Sequence, residues 1–112
     1  MDRIKRYKKI LKQELEYQAS IPFSNAESLE NRLIINKKET EFILLKLGWM
    51  NKIFKHGILF HFGIENGKVW LYKNNTDIDI GMRLVEKGIP KSDIVLGFVS
   101  KYERALEGYA VA

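Results

Sequence analysis

Ile58-Leu59-Phe60-His61-Phe62-Gly63-Ile64, Glu65-Asn66-Gly67-Lys68, Val69-Trp70-Leu71-Tyr72: this stretch decides the fold. Period-two alternation places Ile58, Phe60, Phe62 and Ile64 on one face of a strand and Leu59 and His61 on the other. Asn66-Gly67 stands between two runs rich in aromatic and β-branched residues. Both residues tolerate positive φ, so the pair predicts a type I′ hairpin turn. Upstream, Phe42 to Trp49 alternates in the same way. Ile43, Leu45, Leu47 and Trp49 share one face and Phe42 and Leu44 the other, with Asn51-Lys52 as the turn that follows. Both faces are apolar, so this strand sits inside the sheet. Leu33-Ile34-Ile35, before the polar turn Asn36-Lys37-Lys38-Glu39, completes a four-stranded antiparallel meander.

Helices flank this sheet. Ile4, Tyr7, Leu11 and Leu15, with Ile10 beside them, form an apolar stripe at helical spacing. Lys5, Lys8, Lys9 and Lys12 point to water, and Lys12 and Glu16 have the spacing of an i,i+4 ion pair. The helix stops before Ile21-Pro22, because a residue preceding proline avoids the α region. Residues 19–29 read as a loop. A second helix is expected near residues 77–87, with Thr76 as N-cap and Asp79 three positions on. Ile80, Leu84 and Val85 form its buried stripe, and Gly88 and Pro90 end it. Ile94-Val95-Leu96-Gly97-Phe98 reads as a short buried strand, and the apolar tail Tyr109-Ala110-Val111-Ala112 as docked. The expected fold is α+β, one domain over 1–112: a meander packed with an N-terminal and a second helix.

At 112 residues and 46% hydrophobic, the chain can bury one core without staples. It has no cysteine, which excludes disulfides, zinc-thiolate sites and thiol nucleophiles. The net charge of +5 is concentrated at one end. Arg3, Lys5, Arg6, Lys8, Lys9 and Lys12 against Asp2 account for all of it, and the remaining residues balance. No apolar run is long enough to span a membrane, and the N-terminus does not read as a signal peptide, so a cytoplasmic location is expected.

Catalytic patterns are missing. There is no phosphate-binding glycine loop and no Gly-x-Ser-x-Gly elbow. His56 and His61 lie five apart in one strand, so alternation sends them to opposite faces, and they cannot share a metal without a bulge. Glu65 and Lys68 flank a turn, and Asp77 and Asp79 read as helix-capping acids. No metal or cofactor is expected, and the chain reads as a non-enzyme. The basic helix remains as a phosphate-contacting element, with Lys5, Lys8, Lys9 and Lys12 as the DNA-binding candidates. The apolar excess points the same way as the missing chemistry. Two helices cover one face of a sheet that is apolar on both, leaving a face or an edge for a protein partner or a second copy.

Several motifs carry a family resemblance. They are Leu47-Gly48-Trp49, His56-Gly57-x-Leu59-x-His61, Ile64-x-Asn66-Gly67-Lys68-Val69-Trp70, and Leu84-Val85-x-x-Gly88-Ile89-Pro90-Lys91-x-Asp93-Ile94-Val95-Leu96-Gly97-Phe98. With Tyr7, Tyr17-x-Ala19-Ser20-Ile21-Pro22, Arg104 and Tyr109-Ala110-Val111-Ala112, they run nearly the full chain. The sequence resembles the XisI-like proteins, fdxN element excision controlling factors of cyanobacteria. The resemblance implies a regulatory role in programmed DNA excision during heterocyst differentiation or in the control of a nuclease. It also implies a companion XisH-like protein of nuclease-like fold, often encoded alongside, and carries over no catalytic residue. Candidate partner-binding residues within these motifs are Trp49, His61, Trp70, Arg104 and Tyr109. The chain departs from the family pattern at Val99-Ser100-Lys101, where His-Pro-Pro is usual, and at Asp77-Ile78-Asp79, where Glu-Glu-Gly is usual.

Overall fold

The computed structural model describes residues 2–23 and 28–112. Residues 24–27 of the expected loop lie outside the described residues. Helix α1 (Asp2–Ala19) leads into strands β1 (Leu29–Ile35), β2 (Glu41–Met50), β3 (Ile53–Glu65) and β4 (Lys68–Asn74). Helix α2 (Ile80–Glu86), a 3-10 turn (Lys91–Asp93), strand β5 (Ile94–Leu96) and helix α3 (Lys101–Leu106) follow. The fold is α+β, as expected, but the sheet has five strands in the order β1-β2-β3-β4-β5, and β5 runs parallel to β4. The expected meander is its first four strands.

The hairpin turn forms as its sequence requires, with Asn66 at φ 53° and Gly67 at φ 76°. The first strand is longer than its apolar core Leu33–Ile35. It starts at Leu29, and Glu30 and Arg32 alternate outward in a half-buried/exposed pattern typical of an edge.

One face of the sheet carries the core. Phe42, Leu44, Phe60, Phe62, Val69, Leu71 and Ile94 meet Tyr7, Leu11 and Leu15 of α1 and Ile80 and Leu84 of α2, all at 0–1% exposure. The stripe spacing explains why α1 lies here, since its apolar residues project from one side. Buried between the helices is a group the sequence did not flag. Glu14 is 0% exposed, accepting from Gln18 Nε2 at 2.8 Å, Arg83 Nε at 2.6 Å and Arg83 Nη2 at 3.2 Å. α2 brings a guanidinium to the buried carboxyl group, and the hydrogen bond to Glu14 raises the Arg83 pKa above its ordinary value. The expected Lys12–Glu16 ion pair is not among the ion pairs of the described residues.

Two bulges reset the alternation. The β2–β3 register shifts between Leu44 and Leu45, leaving Leu59 extra in β3, and the β3–β4 register shifts after His61, leaving Tyr72 extra in β4. Phe60, Phe62 and Ile64 therefore face the helices, while Ile58 pairs with Leu45 on the opposite face, contrary to the expected common face.

Helix α2 begins later than expected. Thr76 does not cap it. Its N–H donates to Asn74 Oδ1 and its hydroxyl accepts from the Ile78 N–H, a side-chain turn that precedes the helix. Asp79 is the N-cap, accepting from the Met82 N–H at 3.1 Å. Gly88, at φ 116°, and buried Ile89, donating to Leu84 O, end the helix as the sequence indicated.

Candidate protein-binding surface

The second face of the sheet is built by residues whose register places them away from the helices. On β1 to β3 these are Ile34, Ile43, Leu45, Leu47, Trp49, Phe54, His56 and Ile58. Among the described residues, no helix lies over them. Ile34 is 47% exposed, Trp49 55% and Phe54 48%, while Ile43, Leu45, Leu47 and Ile58 are half-buried by their strand neighbours. An apolar patch of this kind on one side of a sheet makes that face a candidate interaction surface.

The patch runs to a projecting tip. Among the described residues, β1 pairs with β2 only as far as Gly48, and β4 reaches β3 only from Phe60 onward, so the end of the β2–β3 hairpin pairs only with itself. The radius of gyration, 14.8 Å, reflects this extension; about 13 Å is usual for a chain of this length. At the tip, Trp49 and Phe54 meet edge to face at 5.3 Å, and Asn51 takes the turn at φ 59°. Gly48, at φ 137°, lies where a side chain would strike the Ser28 carbonyl, which fixes glycine beside Trp49.

At the other end the face becomes polar and aromatic. His61 Nε2 lies 2.8 Å from Glu41 Oε1, and the His61 ring lies 4.9 Å from Tyr72. The Tyr72 hydroxyl donates to Glu65 Oε2 at 2.9 Å. Its pKa is pushed up to about 12, first by burial and then by the bond to Glu65 and the charges of Glu65 and Glu41. Tyr72 stacks on Trp70, whose indole Nε1 is buried with no hydrogen-bond acceptor among the described residues, and the Arg104 guanidinium lies 5.5 Å from the Trp70 ring.

The five candidate partner-binding residues thus separate. Trp49, His61 and Trp70 share the outer face at its two ends. Arg104 is buried and works as a clasp, donating to the carbonyls of Leu96, Val99 and Val111, so that it holds the C-terminal segment against β5. Tyr109 belongs to the core beside α2, 7% exposed, its ring against Gly81 and under Lys91 Nζ. The clasp rests on α3, which the sequence reading did not include. Its signal was Ser100-Lys101-Tyr102-Glu103, a capping box in which Ser100 Oγ accepts from the Glu103 N–H.

His56 and His61 prove to share a face, because the bulge at Leu59 shifts the alternation between them. They still stand roughly 13 Å apart along the strand, too far to hold one ion. Among the described residues, no three His, Asp or Glu side chains gather as metal ligands. No helix of the described residues is long and apolar enough to cross a membrane.

On α1, which covers the opposite face of the sheet, Lys5, Lys8, Lys9 and Lys12 line one open groove with Arg6 and Glu39, of about 470 Å³. None of these five cations is in an ion pair among the described residues. The molecule therefore has an apolar side and a cationic side, separated by the sheet and its core.

Comparison with known proteins agrees with this architecture. A family model described as XisI protein matches residues 1–111. The fold is similar to that of an XisI-like protein from Anabaena variabilis, with 33% identity, a TM-score of 0.86, and 95% of this chain and 96% of that one covered. It is also similar to the fdxN element excision controlling factor XisI from the same organism, with 27% identity, a TM-score of 0.82, and 98% and 99% covered. No curated protein sequence matches.

Proposed function

We infer, from the premise that this chain belongs to the XisI family, that it is a non-catalytic regulatory factor acting by binding another protein. The observation that carries this reading is the uncovered apolar face running from Ile34 to the Trp49–Phe54 tip. A face of this kind is costly to leave in water and supplies the desolvated centre that a protein interface needs. The proposed partner is an XisH-like protein, and the proposed setting is the control of DNA excision, the role for which the structurally similar factor is named. The chain contributes a docking surface, and any strand cleavage belongs to the partner. Co-purification with an XisH-like protein tests the reading. The expected result is a stable complex at micromolar concentration, together with no cleavage of duplex DNA by the isolated chain. Two proteins that migrate separately at that concentration would overturn it.

The unpaired cations gathered along α1 favour a second activity, direct contact with a DNA backbone. Replacing Lys5, Lys8, Lys9 and Lys12 with Gln then weakens binding to duplex DNA equally for all sequences and flattens its salt dependence. An unmodified chain with no salt-sensitive DNA binding removes this reading and leaves the first intact.

A further inference from the structure

We propose that two copies of this chain join through β1, edge to edge, in a register set by the segment Leu29-Glu30-Asn31-Arg32-Leu33. β1 is the open edge of the sheet. At the other edge β5 is met by Ala110, whose N–H donates to Ile94 O. Among the described residues, no backbone hydrogen bond reaches β1 from the side away from β2. The bond from the Asn36 N–H to Glu41 O fixes which groups are free. In an antiparallel ladder alternate residues face the neighbour, so Ile34, Arg32 and Glu30 turn their N–H and C=O groups to β2. Leu29, Asn31, Leu33 and Ile35 turn theirs outward.

A second copy related by a two-fold axis must pair outward-facing residues with outward-facing residues, so one residue lies on the axis. An axis at Glu30 sets Glu30 against Glu30, and an axis at Arg32 sets Arg32 against Arg32. Both place like charges directly opposite, which is unfavourable. An axis at Leu33 leaves Arg32 opposite Ile34. An axis at Asn31 sets each Glu30 opposite the partner's Arg32, twice over, and each Leu29 opposite the partner's Leu33. The segment is a charge-complementary palindrome about Asn31, and the partner it describes is itself.

Two local features fit this occupant. Glu30 and Arg32 now bridge each other within the strand at 2.5 Å, but both side chains are more than half exposed, so the bond is readily exchanged for one across the axis. A cavity of about 430 Å³, lined by Ala19, Ile21, Pro22, Phe23 and Leu29 together with Glu30 and Asn31, opens beside the first half of β1, where the partner's Leu33 would arrive. The outer apolar faces of the two copies then lie side by side in one continuous sheet, and remain free for the heterologous partner.

Sedimentation velocity on the full chain, from micromolar to millimolar concentration, tests the register. The unmodified chain is expected to dimerise reversibly. Glu30→Arg and Arg32→Glu each turn two attractive pairs into two repulsive ones and weaken the dimer by about tenfold or more. An equimolar mixture of the two variants re-forms a dimer, and the chain carrying both changes associates like the original. The altered side chains are exposed, so each variant keeps its thermal transition. A chain that stays monomeric at millimolar concentration, or variants that associate as well alone as mixed, would overturn the proposal. Co-purification with an XisH-like protein reports on a different surface, so either reading can fail alone.

Discussion

Truncating Trp49 is the sharpest probe of the apolar face. Trp49 is 55% exposed. A large aromatic side chain offers up to about 250 Å², so roughly 140 Å² of it is available to a partner. At about 25 cal/mol per Å², covering that area contributes ~3.5 kcal/mol. This corresponds to a change in Kd of roughly three hundredfold. Trp49→Ala also loses the edge contact with Phe54 at 5.3 Å, worth about 1 kcal/mol to folding. Calorimetric titration against an XisH-like partner measures the binding loss, and urea denaturation measures the folding loss. The control is Ile89→Val, buried against the helix side of the sheet. It costs about 1 kcal/mol of stability but leaves the outer face untouched. The expected outcome is a large loss of affinity for Trp49→Ala and none for Ile89→Val. If Trp49→Ala binds within threefold of the unmodified chain, or if both variants lose affinity alike, the face is not the docking surface.

Two further outcomes concern the interior and the polar end of the face. Arg83→Ala strands the fully buried Glu14 carboxylate with only Gln18 and the more distant Lys87; urea denaturation should show a loss of about 3 kcal/mol, the low end for breaking a buried pair. Adding Glu14→Gln should recover at least ~1 kcal/mol, because a neutral amide needs no countercharge, and equal losses in the single and double variants would refute that account. Tyr72, assigned by comparison with Tyr72→Phe in an ultraviolet titration, should ionise near pH 12. Its neutral form is favoured in the fold. Its contribution to stability is therefore complete below about pH 10, the ordinary tyrosine value, and is lost as the pH climbs toward 12. Glu65→Gln should lower that midpoint only partway, since burial is the larger cause; a Tyr72 midpoint at the ordinary value in the unmodified chain would contradict the geometry.

Much of this protein is local physics, and the sequence by itself determined that part. The spacing of Tyr7, Leu11 and Leu15 can only make a one-sided helix. Asn66-Gly67 selects a turn by its tolerance of positive φ, and Gly88 ends α2 for the same reason. The apolar alternation of β2 on both faces already required a surface that two helices could not cover. Ser100-x-x-Glu103 was equally local and was legible as a helix start.

Tertiary structure decided what depends on pairing between distant segments. The bulges at Leu59 and Tyr72 arise where neighbouring strands of unequal residue count must keep their apolar faces inward. A one-residue shift turns every later side chain over, which is how His56 and His61 came to share a face. Whether β5 ran parallel or antiparallel depended on the path of α2 and the 3-10 turn between it and β4, not on Ile94-Val95-Leu96. Arg104 and Tyr109 carry side chains suited to a surface, yet the clasp of the C-terminal segment buries them. Glu14 reads as solvent-facing until α2 delivers Arg83 from 69 residues away. A charge or a face can be assigned from sequence only when its neighbours are near in the chain, because burial is a property of what the fold brings alongside.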